Sequence, residues 1–225
     1  MEGNNHWQVV ILMGVPGSGK GTEAQMLSEH DPKYLHISTG QLLRELENDS
    51  NADPEDKVLM QRIHGGEMAP DYLIYKIAFR AIEDALSQGK VPVLDGAIRS
   101  LTQAKEYERF FEEKGIADDV AVIEIAISDD LSLKRLTTRK ICSNCGYIIP
   151  YSPENFKKEI CDKCGGPMVV RTDDNPETVL KRIESQGNAV LQPIVEYYKT
   201  VSHVFVVNGS RTIPEVDKDV WALLH

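Results

Sequence analysis

Long apolar runs are missing from this 225-residue chain: none approaches the roughly 20 residues of a membrane span. The N-terminal Met1-Glu2-Gly3-Asn4-Asn5-His6 has no basic cluster, and the apolar run behind it is short, which argues against a secretory leader. Positive charge is scarce as well: 25 Lys and Arg face 35 Asp and Glu, a formal net charge of −10. That balance disfavours general nucleic-acid binding, which is driven by neutralising phosphates. It also means that an anionic ligand must be met by a local concentration of arginine. Cysteine is limited to four, all between positions 142 and 164. Neither an internal repeat nor a low-complexity tract occurs, which leaves one globular domain with insertions, or at most two. These absences predict a soluble, cytoplasmic protein, without nucleic-acid or membrane partners, whose clustered cysteines bind metal rather than form disulfides.

What is present is organised around Gly14-Val15-Pro16-Gly17-Ser18-Gly19-Lys20-Gly21-Thr22. The run Val9-Val10-Ile11-Leu12-Met13 before it reads as a buried strand, and Thr22 to Leu27 after it as helix. Strand, glycine-rich loop and helix are the context of a phosphate-binding loop. Glycines let successive backbone N–H groups turn inward around an anion, and the helix N-terminus adds free donors and a positive dipole end. Lys20 is expected to be a mobile, solvent-facing cation that follows charge on the β- and γ-phosphates. Gly21 stands where a hydroxyl residue is usual, and the hydroxyl comes one position later, at Thr22. The pattern implies a nucleoside triphosphate site.

Along the chain, strands are expected at 34–37, 91–94, 120–127 and 204–207. Helices are expected at 41–47, from Asp53-Pro54 to His64 with a stop at Gly65-Gly66, and from Asp71 as a cap to Gly89. Further helices are expected at 101–114, at 129–140, from Asp174-Asn175-Pro176 to about Thr200 with a break near Pro193, and at 213–224 with Trp221 inward. Alternating strands and helices imply a parallel sheet covered on both faces. Residues 141–170 have no helical period and hold every cysteine, so they read as an inserted small subdomain.

Cys142-Ser143-Asn144-Cys145 and Cys161-Asp162-Lys163-Cys164 have zinc-ribbon spacing. Four thiolates complete a tetrahedron, so the metal is structural with no open position; free or redox-active thiols are the alternative. Arg44, Arg99, Arg135, Arg139, Arg171 and Arg182 each fall near a predicted element end. Phosphoryl transfer needs alignment and charge neutralisation, which planar guanidinium forks provide.

These strings stand in one order, together with Ser38-Thr39-Gly40, Gly66-Glu67-Met68-Ala69-Pro70-Asp71, Leu94-Asp95-Gly96, Gln103 and Arg171-Thr172-Asp173-Asp174. In that order the chain resembles an adenylate kinase of the bacterial zinc-lid type. The resemblance implies an α/β P-loop NTPase fold with a central parallel five-stranded sheet, a helical flap for the monophosphate and a zinc-ribbon lid. The core would be 1–37, 69–140 and 171–225, the flap 38–68 and the lid 141–170. It implies a monomer that reversibly transfers the γ-phosphoryl group of ATP, with Mg2+, to AMP, giving two ADP.

By the same resemblance Gly14, Pro16, Gly17, Ser18, Gly19, Lys20, Gly21 and Thr22 cradle ATP, with Arg135, Arg139 and Arg211 beside it. Arg171 and Arg182 bridge donor and acceptor. Thr39, Arg44, Gly96, Arg99 and Gln103 hold the acceptor, Thr39 and Gln103 facing its base. Asp95 and Thr22 reach magnesium through water. Lys20, Arg99, Arg139, Arg171 and Arg182 carry the transfer, and Cys142, Cys145, Cys161 and Cys164 hold structural Zn2+.

The sequence departs from the family on the acceptor side. The family's Asp-Gly-Phe-Pro-Arg reads Asp95-Gly96-Ala97-Ile98-Arg99, Gln41 replaces an Asp, and Ala69 a Val. A kinase for CMP, UMP or GMP, or an ATP-binding sensor without turnover, therefore stands beside the AMP kinase. His36 and His64 read as strand-end and helix-surface residues.

Overall fold

The computed structural model describes residues 6–48, 53, 55–56, 58–60, 69–149, 153–170 and 175–225. Five parallel strands form the central sheet in the order β2-β3-β1-β4-β7: β1 (Val9–Met13), β2 (Tyr34–Ser38), β3 (Val91–Asp95), β4 (Val120–Ala126) and β7 (His203–Asn208). The helices are α1 (Lys20–His30), α2 (Thr39–Asn48), α3 (Asp71–Ser87), α4 (Leu101–Lys114), α5 (Asp129–Thr137), α6 (Pro153–Phe156), α7 (Pro176–Gln186), α8 (Asn188–Val201) and α9 (Ile213–Leu224). Two short strands, β5 (Lys140–Cys142) and β6 (Met168–Val170), pair antiparallel outside the main sheet. Among the described residues no helix is long and apolar enough to cross a membrane.

β1 has no polar residue because it has no free face. Val9, Ile11 and Met13 join a core cluster with Ala78 and Ile82 of α3, Tyr107 and Phe111 of α4, and Ile194, Val195 and Tyr198 of α8. Val10 and Leu12 point the other way, to Ala24 and Leu27 of α1 and Val216, Val220 and Leu224 of α9. This is the period-2 alternation of a strand buried between two helical layers. Each large side chain so removed from water contributes roughly 1.5–3 kcal/mol before conformational entropy is counted.

Helix ends follow local chemistry where it is strong. Ser100 Oγ accepts from the Gln103 N–H at 3.1 Å to start α4, and Gly115, at φ +70°, ends it. Thr212 and Glu215 form a reciprocal capping box at the start of α9. Trp221 is half-buried among His30, Tyr34 and His225.

Five expectations change. α2 begins at Thr39 rather than Gln41. α1 begins at Lys20 rather than Thr22, because Gly19 at φ +113° serves as its N-cap. α5 stops at Thr137, since Lys140–Cys142 pairs with Met168–Val170. The helix expected to run through 176–200 is two helices, and the break is at Gly187, not Pro193, which lies inside α8. There Asp129 Oδ1 accepts from the backbone N–H and Nδ2 of Asn188 at 3.1 and 2.8 Å, so a tertiary contact starts the second helix. Pro70 rather than Asp71 is the N-cap of α3. Residues 55–56 and 58–60 are helical, as expected, while Pro54, His64, Gly65 to Met68 and Arg171 to Asp174 lie outside the described residues.

Glu23 is one of the acids buried in this core. It is 2% exposed on α1, and its Oε2 meets no hydrogen-bond donor among the described residues. Burial, with the Asp217 carboxylate nearby, pushes its carboxyl up to about 8. From the ordinary carboxyl range to that value the folded chain holds a proton that the unfolded chain has released. Stability is therefore complete at low pH and falls as pH rises through the window. Glu23→Gln should stabilise the chain by about 1–3 kcal/mol at pH 8, with a difference that vanishes near pH 4. Urea unfolding across that range checks this; a pH-independent difference would refute it.

Candidate functional site

The parallel register brings the C-terminal ends of three strands to one crevice. Leu12 pairs with Asp95, and Ser38 pairs with the same residue from the other side. The loop leaving β1 thus lies beside the end of β3, at the sheet position where connections diverge to either side.

The loop's shape is set by its first glycine. Gly14 has φ +147°, and a Cβ there would lie 2.6 Å from both the Ile125 carbonyl and Ser18 Oγ. No other residue fits. The Ser132 hydroxyl, fully buried on α5, donates to the Pro16 carbonyl at 2.6 Å. Gly17 and Gly19 also have positive φ, and Ser18 is buried. Gly21 is explained by a neighbour: a Cβ there would stand 3.1 Å from Asp95 Oδ2. A hydroxyl side chain at Gly21 would crowd that carboxylate, whereas Thr22, half-buried on the first turn of α1, has room.

Lys20 is not the solvent-facing cation that the sequence suggests. It is half-buried, and Nζ donates to the Gly14 carbonyl at 2.6 Å and to the Val15 carbonyl at 3.1 Å. Burial lowers its pKa to about 8; Asp95 opposes that shift, while the Arg99 and Arg182 charges add to it. Burial works to raise the Asp95 carboxyl, but His36, Lys20 and Arg99 outweigh it and hold it below its ordinary value. Lys20, Asp95 and Arg99, from α1, β3 and the loop before α4, therefore act on one another, and Arg182 of α7 adds its charge at Lys20.

The remaining arginines divide. Arg135 donates to the carbonyls of Gly17 and Ser18 at 3.4 and 3.2 Å and to that of Gly209 at 2.8 Å, so it braces the loop backbone. Arg139 follows α5 at the entry to β5. Arg211 forms an ion pair with Asp219 on α9. Arg44 is on α2, with Nη1 3.5 Å from where a Gly40 Cβ would be. Arg99 Nε donates to the Gly96 carbonyl at 3.2 Å across a turn that Gly96 makes at φ +67°. Thr39 is buried at the start of α2. Ala97 and Ile98, the divergent pair, are buried in the core with α3 and α4. Arg171 lies outside the described residues.

Two residues read blandly from sequence belong here. His36 Nε2 is 3.6 Å from Asp95 Oδ2. Asp71, read as a helix cap, accepts from Gln103 Nε2 at 2.8 Å. Sequence separation hides both contacts, since they cross between strands or helices.

The four cysteines form the second site. Their sulfurs all lie within 4.8 Å of one another, with Cys142 to Cys164 at 3.4 Å and Cys145 to Cys161 at 3.7 Å. A tetrahedron of thiolates about 2.3 Å from a zinc ion has edges of about 3.8 Å, so the donor set fits, and no pair is at disulfide distance. The two knuckles are built alike. Gly146 and Gly165, at φ +72° and +71°, donate their N–H groups to the carbonyls of Cys142 and Cys161, both at 2.9 Å.

A family model described as adenylate kinase matches residues 12–203. Three curated proteins named adenylate kinase are similar along their whole length. That of Caldicellulosiruptor bescii is 36% identical, covering 96% of this chain and 98% of its own. That of Clostridium tetani is 35% identical over 96% and 97%. That of Borreliella burgdorferi is 34% identical over 96% and 97%. The phosphate loop, the five-stranded order β2-β3-β1-β4-β7 and the cysteine-pinned hairpin agree with that match, and the chain belongs to the adenylate kinase family.

Proposed function

We propose that this chain transfers the γ-phosphoryl group of ATP to AMP, reversibly, giving two ADP. The observation that carries the proposal is the glycine-shaped loop set by strand register beside Asp95, with Lys20 folded onto that loop and Arg99 on the turn after β3. The loop from Gly14 to Thr22 would hold the triphosphate with backbone N–H groups. Lys20, already half-buried, would exchange the Gly14 and Val15 carbonyls for phosphate oxygens. Arg99 and Arg44 would grip the acceptor phosphate, with Thr39, Gly96 and Gln103 around its nucleoside. Arg182, with Arg139 and Arg171, would offset charge spreading over the equatorial oxygens as the group passes. Arg135 serves the same end indirectly, by fixing the Gly17 and Ser18 carbonyls. Arg211 would flank the ATP side.

A magnesium ion bound with ATP would supply charge neutralisation, and Asp95 and Thr22 would hold it through water. One carboxylate, Asp95, and one hydroxyl, Thr22, suit an ion held mainly by water and phosphate oxygens. The flap at 38–68 and lid at 141–170 would close over the core to keep water from competing as nucleophile. Zinc in the lid would be structural, with four thiolates leaving no position open. The protein would act as a cytoplasmic monomer on ATP, AMP and ADP.

ADP formation from Mg-ATP with AMP, CMP, UMP and GMP offered separately tests the substrate. AMP should be preferred; turnover with another monophosphate alone, or none with any, would overturn the proposal. Lys20→Met should lower turnover by about 100-fold or more while the fold is retained, since its Nζ bonds only within its own loop and Asp95 keeps His36 and Arg99 beside it. An unchanged turnover number would remove Lys20 from its role. Cys145→Ser should release one metal per chain and lower the unfolding temperature, measured by metal analysis and differential scanning calorimetry. Metal retained at one per chain would refute the four-thiolate site.

A further inference from the structure

Gln103 has an unusual pair of partners for a base-facing amide. Its Oε1 accepts from the Arg99 backbone N–H at 2.7 Å, and its Nε2 donates to Asp71 Oδ1 at 2.8 Å. The residue is 8% exposed. Each partner is one-directional: a backbone N–H donates and does not accept, and a carboxylate accepts and does not donate. A side-chain amide is nearly symmetric in shape, so rotation by half a turn exchanges its donor and acceptor without steric change. Between these two partners that rotation is blocked, since it would set carbonyl against carboxylate and N–H against N–H.

The lock leaves a defined remainder. Among the described residues Gln103 has one further Nε2–H and one further Oε1 lone pair without a partner, in a fixed order. A 6-aminopurine presents a ring acceptor at N1 beside a donor at its amino group. A 6-oxopurine presents the reverse, a donor at N1 and an acceptor at O6. An amide free to rotate reads both; a locked one reads one. We infer that Asp71 is a positioning residue that, together with the Arg99 backbone N–H, fixes the Gln103 amide, so that the acceptor site takes a 6-aminopurine monophosphate and rejects a 6-oxopurine. The inference rests on the reading above that Gln103 faces the acceptor base. It also supplies what Ala97 and Ile98 do not, because both are turned into the core and offer no polar group to a base.

The test compares kcat/KM for AMP with that for IMP, whose base differs at the atoms in question. In Asp71→Leu the AMP-to-IMP ratio should fall by roughly tenfold or more, through loss for AMP and gain for IMP, with KM for ATP unchanged. Asp71→Asn, whose amide carbonyl can still accept, should keep most of the ratio and covers the case in which Asp71→Leu folds poorly. A parallel loss with both acceptors, or a wild-type ratio in Asp71→Leu, would overturn the inference. Gln103→Ala separates the two failures. If it abolishes discrimination while Asp71→Leu does not, Asp71 alone is excluded. If it leaves discrimination intact, Gln103 does not face the base.

Discussion

Because β1 is buried on both faces and paired on both edges, the residue that leaves it has nowhere to move. Gly14 stands against the Ile125 carbonyl of the neighbouring strand, and the chain must turn there without a side chain. The rest of the loop inherits this start. Ser132 and Arg135 then fix the carbonyls of Pro16, Gly17 and Ser18 from α5, which aims the intervening N–H groups by elimination. The phosphate loop is thus shaped by the sheet beneath it and by one helix beside it. Contacts within the chain hold its geometry, and fixed backbone dipoles are what a transferring phosphoryl group can use.

Charge is arranged on the same scaffold. A chain of formal charge −10 is a poor electrostatic host for polyphosphates. Register solves this locally by setting the end of β3 beside the loop, so that Asp95, Lys20 and Arg99 act on one another. Asp95 holds its charge there because cations outweigh its burial. Lys20 loses basicity because burial outweighs Asp95. The mutual balance means that neither residue's state can be read from the residue alone. Phosphate arriving in the loop would offset the burial of the Lys20 ammonium and so raise its pKa back toward the ordinary lysine range.

What was legible in the sequence was whatever local chemistry dictates. The helices expected at 101–114 and 213–224 fall where the pattern places them, and the apolar run of β1 is visible because it is buried twice. The errors fall where a distant residue decides. Pro193 suggested a break, yet the break is at Gly187 because Asp129, far back in the chain, caps Asn188. The helix after Asp129 was drawn too long because β5 is claimed by β6 across the whole cysteine insert. Lys20 seemed exposed because no local signal reports that its amine folds onto its own loop. In the site, residue types were legible and partnerships were not: Asp71 has a sufficient local reason to begin a helix, which conceals its reach to Gln103.

The lid carries the same logic to its limit. Its buried cluster is Cys142, Ile149, Cys161 and Met168, with Tyr147 alongside, so half of the buried members are thiols. Ile148 and Ile160 remain 43% and 66% exposed because so small a unit has no interior to receive them. Burial on this scale is far below what an independent module needs. A metal held by both knuckles would replace the missing core, since the closure of four ligands from two turns links strands that apolar contacts cannot hold. Rigidity gained in that way is local to the knuckles. It leaves the connection between α5 and β5, where Arg139 lies, as the place at which a rigid lid would meet the core, and motion there would carry that arginine with it.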